Sequence, residues 1–451
     1  MNLDVNGKGR KVSVIGAGFS GLTSAYYLKR AGFDVEVFES SERSGGLIQT
    51  RRENEGLVET AANAILNSPL VEELFTTVGV PLAPTLRSSR RRYIFRSGRM
   101  RRWPLGLISS FRVFLFILKF LIWRRAVAPA FGETINLWAE RVVGTEARDY
   151  LINTGLQGIY AGDPSRLSAS LILGRFFRPR KPVQIPVENR VRPKRRSNWR
   201  ERLRQRRKLK GPKGSVSAPE GLGQLLSALE RYLRAQGVQF HFRSIEAGES
   251  AETTTTMPTT PVVIATPPHA AASILTNFAS EVDERAALLS RIEMSPVTTT
   301  TAFFEQTDPA SEGFGVLFPA VEKKRMLGVL KNNLIFNGRV TRRSYSETWI
   351  QGGALQPELI NLSDEQIRQS IRDERADVFH LRETERASYL TRWPRGIPHY
   401  TCELEAMLPT LERAQNNVFL IGNYLGDLGL GKILERASRL PDQMISRGVW
   451  K

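Results

Sequence analysis

The feature that most constrains the fold is a glycine-rich turn, GAGFSG, at residues 16–21. It follows the apolar run KVSVIG and opens the helical stretch SGLTSAYYLKRAG, and DVEVFES then predicts a second strand. In this context the first glycine permits a tight turn, the second allows a pyrophosphate to approach, and the third lets helix pack on strand. The N-terminus of the helix favours negative charge. The pattern therefore predicts a dinucleotide-binding βαβ unit.

Two further segments extend this prediction. Glu39 ends the second predicted strand, where a carboxylate accepts hydrogen bonds from an adenosine ribose and repels the extra phosphate of NADP. A second glycine pair, Gly45 and Gly46, follows it. Near the C-terminus, NVFLIGNYLGDLGLGKILERAS again reads as strand, glycines and helix, and this helix can direct N–H groups at an isoalloxazine ring. One nucleotide fold built from both chain ends is typical of flavoproteins.

Positive charge is concentrated in two segments. The chain has 451 residues and a formal net charge of +20, and residues 87–102 and 190–213 together account for that whole excess. Such segments indicate attraction to a polyanion: lipid head groups, nucleic acid or an acidic small molecule. For residues 190–213 a solvated insertion is the alternative. Nucleic-acid binding is disfavoured, because Trp199 is the only aromatic residue there for base stacking.

An apolar segment, WPLGLISSFRVFLFILKFLIWRR, lies between the basic ones at residues 103–125. It is too short and too charged for a good membrane span. Arg and Trp at both ends are typical of a helix at a membrane interface, and a buried core helix is the alternative. With Cys402 as the only cysteine, four scattered histidines and no secretory pattern, we expect no disulfide, no metal site, and a cytoplasmic protein peripheral at the membrane.

Five sequence blocks, in order along the chain, carry a family resemblance. They are GIYAGDPSRLS (158–168), GFGVLFP (313–319), LGVLKNNLIF (327–336), RWPRGIPHYT (392–401) and FLIGNYLGDLGL (419–430). With the glycine motifs, they make the chain similar to the protoporphyrinogen oxidases of the flavin amine oxidase superfamily. The resemblance implies an α/β fold in which both chain ends build a two-dinucleotide-binding-type FAD domain, with an α+β substrate domain and a helical membrane-associating region.

The resemblance also implies a domain order. The predicted segments are the FAD-binding domain at 1–84, 214–290 and 411–451, the substrate domain at 85–102 and 291–410, and the membrane-associating region with its basic insertion at 103–213. Within the last of these, residues 133–152 read as one amphipathic helix.

Site residues follow from the same resemblance. FAD would lie along Gly16, Ala17, Gly18, Phe19, Ser20, Gly21, Glu39, Ser40, Arg43, Gly46, Leu47, Ala61, Ala62, Asn63, Ala64, Ile245, Gly422, Leu428, Gly429 and Leu430. A tetrapyrrole would contact Arg92, Phe314, Gly315, Leu317, Leu330 and Ile350, with Arg92 paired to a propionate. The alternatives are one more solvated arginine and ordinary core side chains. No side chain is assigned as catalytic, and Lys331 is an unassigned candidate.

The implied reaction is oxidation of protoporphyrinogen IX to protoporphyrin IX in haem and tetrapyrrole biosynthesis, with dioxygen as acceptor. Coproporphyrinogen III oxidation and a flavin amine or polyamine oxidase are the alternatives, and a homodimer is compatible with the family. One departure concerns the residues after Glu59, where Ala61, Ala62 and Asn63 stand in place of the family's usual Gly-Pro-Arg. This change puts the identity of the substrate in more doubt than that of the cofactor.

Overall fold

The computed structural model describes residues 10–177, 211–243, 260–278, 283–305, 313–341, 344–415 and 417–447. Ile245 and most of the basic segment 190–213 lie outside these ranges, so the predictions made for them are not addressed below.

The strands are β1 Arg10–Ile15, β2 Phe33–Glu39, β3 Thr50–Arg52, β4 Leu57–Glu59, β5 Ile65–Leu66, β6 Ala83–Pro84, β7 Tyr93–Arg96, β8 Arg99–Arg101, β9 Ser215–Ser217, β10 Gln239–Phe242, β11 Val262–Ile264, β12 Met294–Glu305, β13 Gly315–Leu317, β14 Met326–Lys331, β15 Ser344–Gly352, β16 Ala387–Pro398 and β17 Val418–Leu420. The α-helices are α1 Phe19–Arg30, α2 Pro69–Thr77, α3 Leu107–Ile122, α4 Ile135–Val143, α5 Thr145–Ala147, α6 Thr154–Tyr160, α7 Ala169–Leu173, α8 Leu222–Ala235, α9 Pro268–Phe278, α10 Glu284–Ser290, α11 Asn332–Ile335, α12 Asp364–Phe379, α13 Cys402–Leu411, α14 Leu430–Ala437 and α15 Leu440–Ser446.

The chain divides into two compact units. The first comprises residues 1–84, 214–293 and 407–451, and the second comprises residues 85–213 and 294–406. The assignment of FAD binding to the first and of substrate binding to the second stays a prediction.

A five-stranded parallel sheet forms the centre of the first unit, in the order β10-β2-β1-β11-β17. Its strands are short and apolar, as buried parallel strands must be, and helices α1, α8, α14 and α15 pack in the same hydrophobic core. The first and last strands of the chain therefore belong to one sheet, which confirms the prediction from the two glycine motifs. Because all five strands are parallel, their carboxyl ends meet at one edge.

The second unit is built on a seven-stranded sheet in the order β16-β12-β15-β14-β13-β7-β8. Its neighbouring strands are antiparallel except for β13 and β7. Helix α12 packs on one face, where Ile367 and Ile371 join Val329 and Trp349 in a buried cluster. Along β14 and β15 the opposite face is less covered, since its side chains include half-buried leucine and isoleucine.

Helix α3 forms within the predicted apolar segment. Phe116 and Phe120 face inward, with their rings edge-to-face against Trp138 at 5.9 Å and Phe177 at 5.3 Å. Most other apolar side chains of α3 are exposed, among them Leu107 at 90%. Within the described ranges, no helix is both long enough and apolar enough to cross a membrane.

The prediction of one helix over residues 133–152 is wrong. Helix α4 ends at Val143 because Gly144 adopts φ +82°, and the chain then continues through α5 and a π-helical stretch, Arg148–Asn153, into α6. The apolar periodicity runs through this break, since glycine is tolerated in a helical pattern and only its backbone angle reveals the interruption.

Candidate functional site

The turn between β1 and α1 has the backbone geometry that the glycine spacing predicts. Gly16 adopts φ +99°, a left-handed conformation that residues with side chains rarely take. A Cβ atom added to Gly21 would lie 1.8 Å from the carbonyl oxygen of Gly16, so only glycine lets α1 pack this closely. Gly18 caps α1 without a side-chain hydrogen bond, and the first turn holds no acidic residue. The first N–H groups of α1 are thus suited to an anion.

The second glycine pair lies directly against this turn. Gly45 donates its N–H to the carbonyl oxygen of Ala17 at 2.8 Å, and a Cβ atom on Gly46 would lie 3.2 Å from Gly18 Cα. The guanidinium of Arg43 is exposed and donates to the carbonyl oxygen of Gly46 at 3.2 Å. Arg43 therefore stabilises the loop that holds Gly45 and Gly46 against the β1–α1 turn.

Glu39 is held at the same edge of the sheet. Its Oε2 accepts the N–H of Ala17 at 2.7 Å, and its Oε1 accepts the N–H of Ser41 at 2.9 Å. The Ser41 hydroxyl also donates to Oε1, at 2.9 Å. An ionised carboxylate offers about four lone-pair positions, so the acceptor capacity that remains for a ribose hydroxyl lies on Oε2.

Thr266 is a residue that the sequence reasoning missed. It follows β11, and its Cγ2 lies 3.2 Å from the position of a Cβ atom on Gly16. The Thr266 hydroxyl is buried and has no hydrogen-bond partner among the described residues. A small polar residue directly after a central parallel strand is the signal that would have identified it, because ligands bind at the carboxyl ends of such strands. An orphaned hydroxyl beside a glycine turn fits a polar ligand such as the FAD pyrophosphate.

The C-terminal motif reaches this edge from β17. A Cβ atom on Gly422 would lie 2.4 Å from Cε1 of Tyr424, so glycine is required where that buried ring passes. The loop before α14 is fixed by Arg436, which donates to Asp427 Oδ2 at 2.7 Å. Gly429 caps α14 without a side-chain hydrogen bond, and a Cβ atom there would meet no atom within 4 Å. Helix α14 packs against α1.

All predicted cofactor residues that are described lie in the first unit. Ala62 and Leu430 pack against the same core as α1, whereas Leu47 and Ala61 are exposed. The remaining predicted residues lie in the same unit: Phe19 and Ser20 at the start of α1, Ser40 after β2, Asn63 and Ala64 before β5, and Leu428 before α14. A glycine cradle, an uncapped helix and a ribose acid therefore share one edge, and these residues fit FAD. That each of them contacts the cofactor stays a prediction.

The predicted substrate residues converge in the second unit. In one row across the sheet, Leu330 on β14 pairs with Gly315 on β13. In the next row, Gly328 on β14 pairs with Leu317 on β13 and with Ile350 on β15. Directly opposed residues of antiparallel strands share a face, so four of the predicted residues lie on one face in two adjacent rows. Leu317, Leu330 and Ile350 are half-buried there. Leu317 also packs against α6, since a Cβ atom on Gly158 would lie 2.5 Å from its Cδ2.

Arg92 and Phe314 contact each other at the starts of β7 and β13. The Arg92 guanidinium lies 4.6 Å from the centroid of the Phe314 ring, and Phe314 donates its N–H to the carbonyl oxygen of Arg91 at 2.8 Å. Arg92 is exposed and forms no ion pair with a described residue. The contact orients a cation next to the aliphatic rows, as recognition of an apolar acid requires.

Lys331 follows Leu330 on β14 and lies on the opposite face of the sheet, so it is not part of the predicted substrate face. It pairs with Glu347 on β15, and its Nζ lies 4.5 Å from the centroid of Phe379 on α12. Burial lowers the pKa of Lys331 to about 8, although Glu347 acts in the other direction. Arg375 Nε lies 3.3 Å from Glu347 Oε2. These groups form a buried ionic cluster in the core under α12.

Comparison with known proteins gives one family match and two relatives. The family model of flavin containing amine oxidoreductases matches residues 19–437. Protoporphyrinogen oxidase 2 of Arabidopsis thaliana is 25% identical to this chain, and the match covers 97% of this chain and 94% of the relative. Coproporphyrinogen III oxidase of Staphylococcus aureus is also 25% identical, over 52% of this chain and 54% of the relative. These matches confirm the resemblance noted in the sequence blocks.

A solved structure shares the fold. A double mutant of putrescine oxidase superposes with a TM-score of 0.69 at 14% identity, covering 97% of this chain and 99% of that one. This likeness supports the two-ended nucleotide fold and leaves the choice of substrate to the residues of the site.

Proposed function

The chain belongs to the family of flavin-containing amine oxidoreductases and is an FAD-dependent oxidoreductase, and from this premise we propose that it oxidises protoporphyrinogen IX to protoporphyrin IX. Three two-electron steps remove three hydrides from methylene bridges and three protons, two of them from pyrrole nitrogens and the third, after tautomerisation, from the fourth bridge; three dioxygen molecules become three of hydrogen peroxide. FAD, when bound, supplies the hydride acceptor and the route to dioxygen. A homodimer stays a prediction.

The chain's own residues bind and orient in this proposal. Leu317, Leu330 and Ile350 provide an aliphatic surface for the tetrapyrrole disc, and Gly315 lets β13 pass close to the Val329 backbone. Arg92 pairs with a propionate carboxylate. Aromatisation of the ring drives the reaction, so a strong side-chain base is not required. The apolar surface excludes water and holds the ring in place.

The observation that carries the proposal is the shared face of the second sheet. Four residues from three strands meet there through strand register, and Arg92 directly precedes β7, which pairs with β13. An aliphatic surface bordered by an arginine fits a broad apolar acid. It does not fit a polyamine, whose cations an exposed arginine would repel.

Coproporphyrinogen III is a second candidate, favoured by the exposed arginines that precede β7. Arg87, Arg90 and Arg92 are exposed and form no ion pair with a described residue. Arg96, on the strand that follows them, is instead paired with Glu146. Four propionates would engage more of these cations than two can.

We propose in addition that α3 docks on the surface of an anionic membrane. Its exposed apolar positions include Leu107, Phe111, Leu118 and Leu121, which recur at helical spacing on its outer side. Arg99–Arg101 and its neighbours supply positive charge just before the helix. Apolar side chains beside basic ones are the combination that holds a helix at a lipid interface.

Parallel turnover assays test the function. Purified protein is incubated in air with protoporphyrinogen IX, with coproporphyrinogen III or with putrescine, and porphyrin fluorescence and hydrogen peroxide are recorded. The proposal expects protoporphyrin to form with about three peroxides per porphyrin. Faster formation of coproporphyrin would favour the second candidate. Peroxide from putrescine alone would establish an amine oxidase and refute both.

A further inference from the structure

Two side chains of a neighbouring hairpin cap the N-terminus of α8. The N-cap residue, Gly221, makes no side-chain hydrogen bond. The N–H of Leu222 donates to Glu59 Oε1 at 2.9 Å, and the N–H of Gly223 donates to Thr50 Oγ1 at 2.8 Å. The Thr50 hydroxyl in turn donates to Glu59 Oε2 at 2.7 Å. Glu59 and Thr50 are directly opposed on β4 and β3, and we call this pair the α8 clamp.

Two glycines let α8 approach the hairpin this closely. Gly221 adopts φ +86°, and a Cβ atom there would lie 2.5 Å from Glu59 Oε1. Gly223 lies in the first turn of α8, where a Cβ atom would lie 2.9 Å from the backbone nitrogen of Thr50. Glycine lowers helix stability, by about 1 kcal/mol in a helix interior. The sequence thus carries glycine, a weak helix former, at the point where the clamp forms.

The hairpin that carries the clamp is small. Strands β3 and β4 form a two-stranded sheet with three residue pairs. A hairpin of this size is marginally stable by itself, so its position depends on what it packs against. The clamp ties one residue of each strand to α8, and an ion pair between Arg52 on β3 and Glu220 adds a third connection. The N-terminus of α8 therefore helps to fix where the hairpin lies.

Predicted FAD-binding segments flank the hairpin on both sides. Gly46 and Leu47 precede β3, and residues 61–64 follow β4. Thr60 joins the two segments, because its hydroxyl donates to the carbonyl oxygen of Leu47 at 2.9 Å. A displacement of the hairpin would therefore move both segments together. We propose that the α8 clamp holds these segments in place for FAD, so that retention of the cofactor depends on Glu59 and Thr50.

The N-termini of α1 and α8 thus have different roles in this account. The first turn of α1 holds no acidic residue, which leaves its N–H groups for an anion. The positive end of α8 is instead occupied by the chain's own carboxylate, Glu59. Glu59 and Thr50 are positioning residues, which act on FAD through the segments that they hold. The inference goes beyond the proposed function, since it concerns the cofactor and is independent of the substrate.

The test measures how fast the purified holoenzyme releases FAD. Release is followed by the rise in flavin fluorescence after dilution, because losses of affinity appear mainly in the dissociation rate. Thr50→Val keeps the shape of the side chain and removes its hydrogen bonds to Glu59 and Gly223, so release should be about 5- to 20-fold faster. Thr50→Ser restores the hydroxyl and should release FAD at nearly the wild-type rate.

Two further variants separate the clamp from the general stability of α8. Gln224 Oε1 accepts the N–H of Glu220 at 3.0 Å, at the same helix end but outside the clamp. Gln224→Ala therefore weakens this end of α8 and should release FAD at the wild-type rate. Glu59→Gln keeps the size of the side chain and removes the charge that the helix N-terminus favours, so release should be about two- to fivefold faster. It carries the test if Thr50→Val does not fold.

Three outcomes would overturn the inference. Thr50→Val and Glu59→Gln could both release FAD at the wild-type rate, Thr50→Ser could release it as fast as Thr50→Val, or Gln224→Ala could accelerate release as much as the clamp variants do. The measurement involves no substrate, so each of these results would leave the proposed oxidation standing. Conversely, failure of porphyrinogen to react in the turnover assays would leave the role of the clamp in FAD retention intact.

Discussion

Arg92 is the residue to which carboxylate recognition is assigned, and its setting makes it testable. Arg92→Ala removes a charged hydrogen-bond donor from an exposed position, so KM for the porphyrinogen should rise about 5- to 20-fold while kcat changes little. Steady-state kinetics with the purified enzyme measure both constants. Arg99→Ala is the control, because Arg99 lies at the other end of the β7–β8 hairpin. An unchanged KM for Arg92→Ala would refute the propionate role.

Lys331 gives a prediction on stability. Its folded pKa is about 8, below the 10.5 of an unperturbed lysine. Between these values the unfolded chain binds more protons, so the lysine's contribution to the free energy of unfolding rises with pH. Lys331→Met removes this dependence. Relative to the wild-type protein, the variant should gain about 2–3 kcal/mol near neutral pH and lose that advantage towards pH 10.5.

Urea unfolding at a series of pH values measures this difference. The groups that face Lys331 are Glu347 on β15 and Arg375 on α12, and burial raises the pKa of Glu347, opposed chiefly by Arg375. Subtracting the wild-type curve from that of the variant removes titrations common to both. A difference that stays constant with pH would show that the lysine is not buried as described.

Helix α1 depends on Gly21 for its position on the first sheet. Gly21→Ala would place a Cβ atom 1.8 Å from a backbone oxygen, so α1 must move away from β1 and the glycine cradle must open. We expect purified Gly21→Ala protein to lose most of its bound FAD. Visible absorbance per protein measures the FAD content. Gly155→Ala on α6 is the control, since a Cβ atom there meets nothing within 4 Å, and it should keep its flavin.

Helix α3 carries the membrane prediction. Changing its outward residues Phe111, Leu118 and Leu121 to serine removes apolar side chains that each favour the interface by about 1 kcal/mol. The triple variant should no longer float with vesicles rich in anionic lipid. A control triple variant changes Leu66, Leu355 and Ile445, exposed apolar residues outside α3.

The control triple variant should float as the wild-type protein does. Equal flotation of both triple variants would exclude α3 as the membrane contact, and flotation that persists in neutral lipid would exclude the contribution of charge.

The cradle of the first unit could be predicted from sequence, because glycine spacing acts locally and each glycine has a backbone reason for being there. The substrate face could not be derived this way. Which residues lie beside Leu330 depends on pairing between β14 and β15, and a shift of one residue would exchange Leu330 with Lys331. Residue type likewise could not show that Gly144 ends a helix or that Thr266 faces the glycine turn.

At the scale of the whole molecule, the chain combines a parallel sheet built from both ends with a second sheet on which the predicted substrate residues lie. The predicted cofactor residues lie in the first unit and the predicted substrate residues in the second, and the proposed reaction requires both sets. The family indicates the flavin, and the proposal assigns the choice of substrate to residues of the second unit.

Anaerobic titration of the purified yellow protein with protoporphyrinogen IX tests this combination most directly. With dioxygen absent, the bound flavin is the only electron acceptor, so the visible flavin absorbance should bleach and about three flavins should be reduced for each protoporphyrin formed. Admitting air should restore the colour. A flavin that stays oxidised with porphyrinogen but bleaches with putrescine would contradict the proposal.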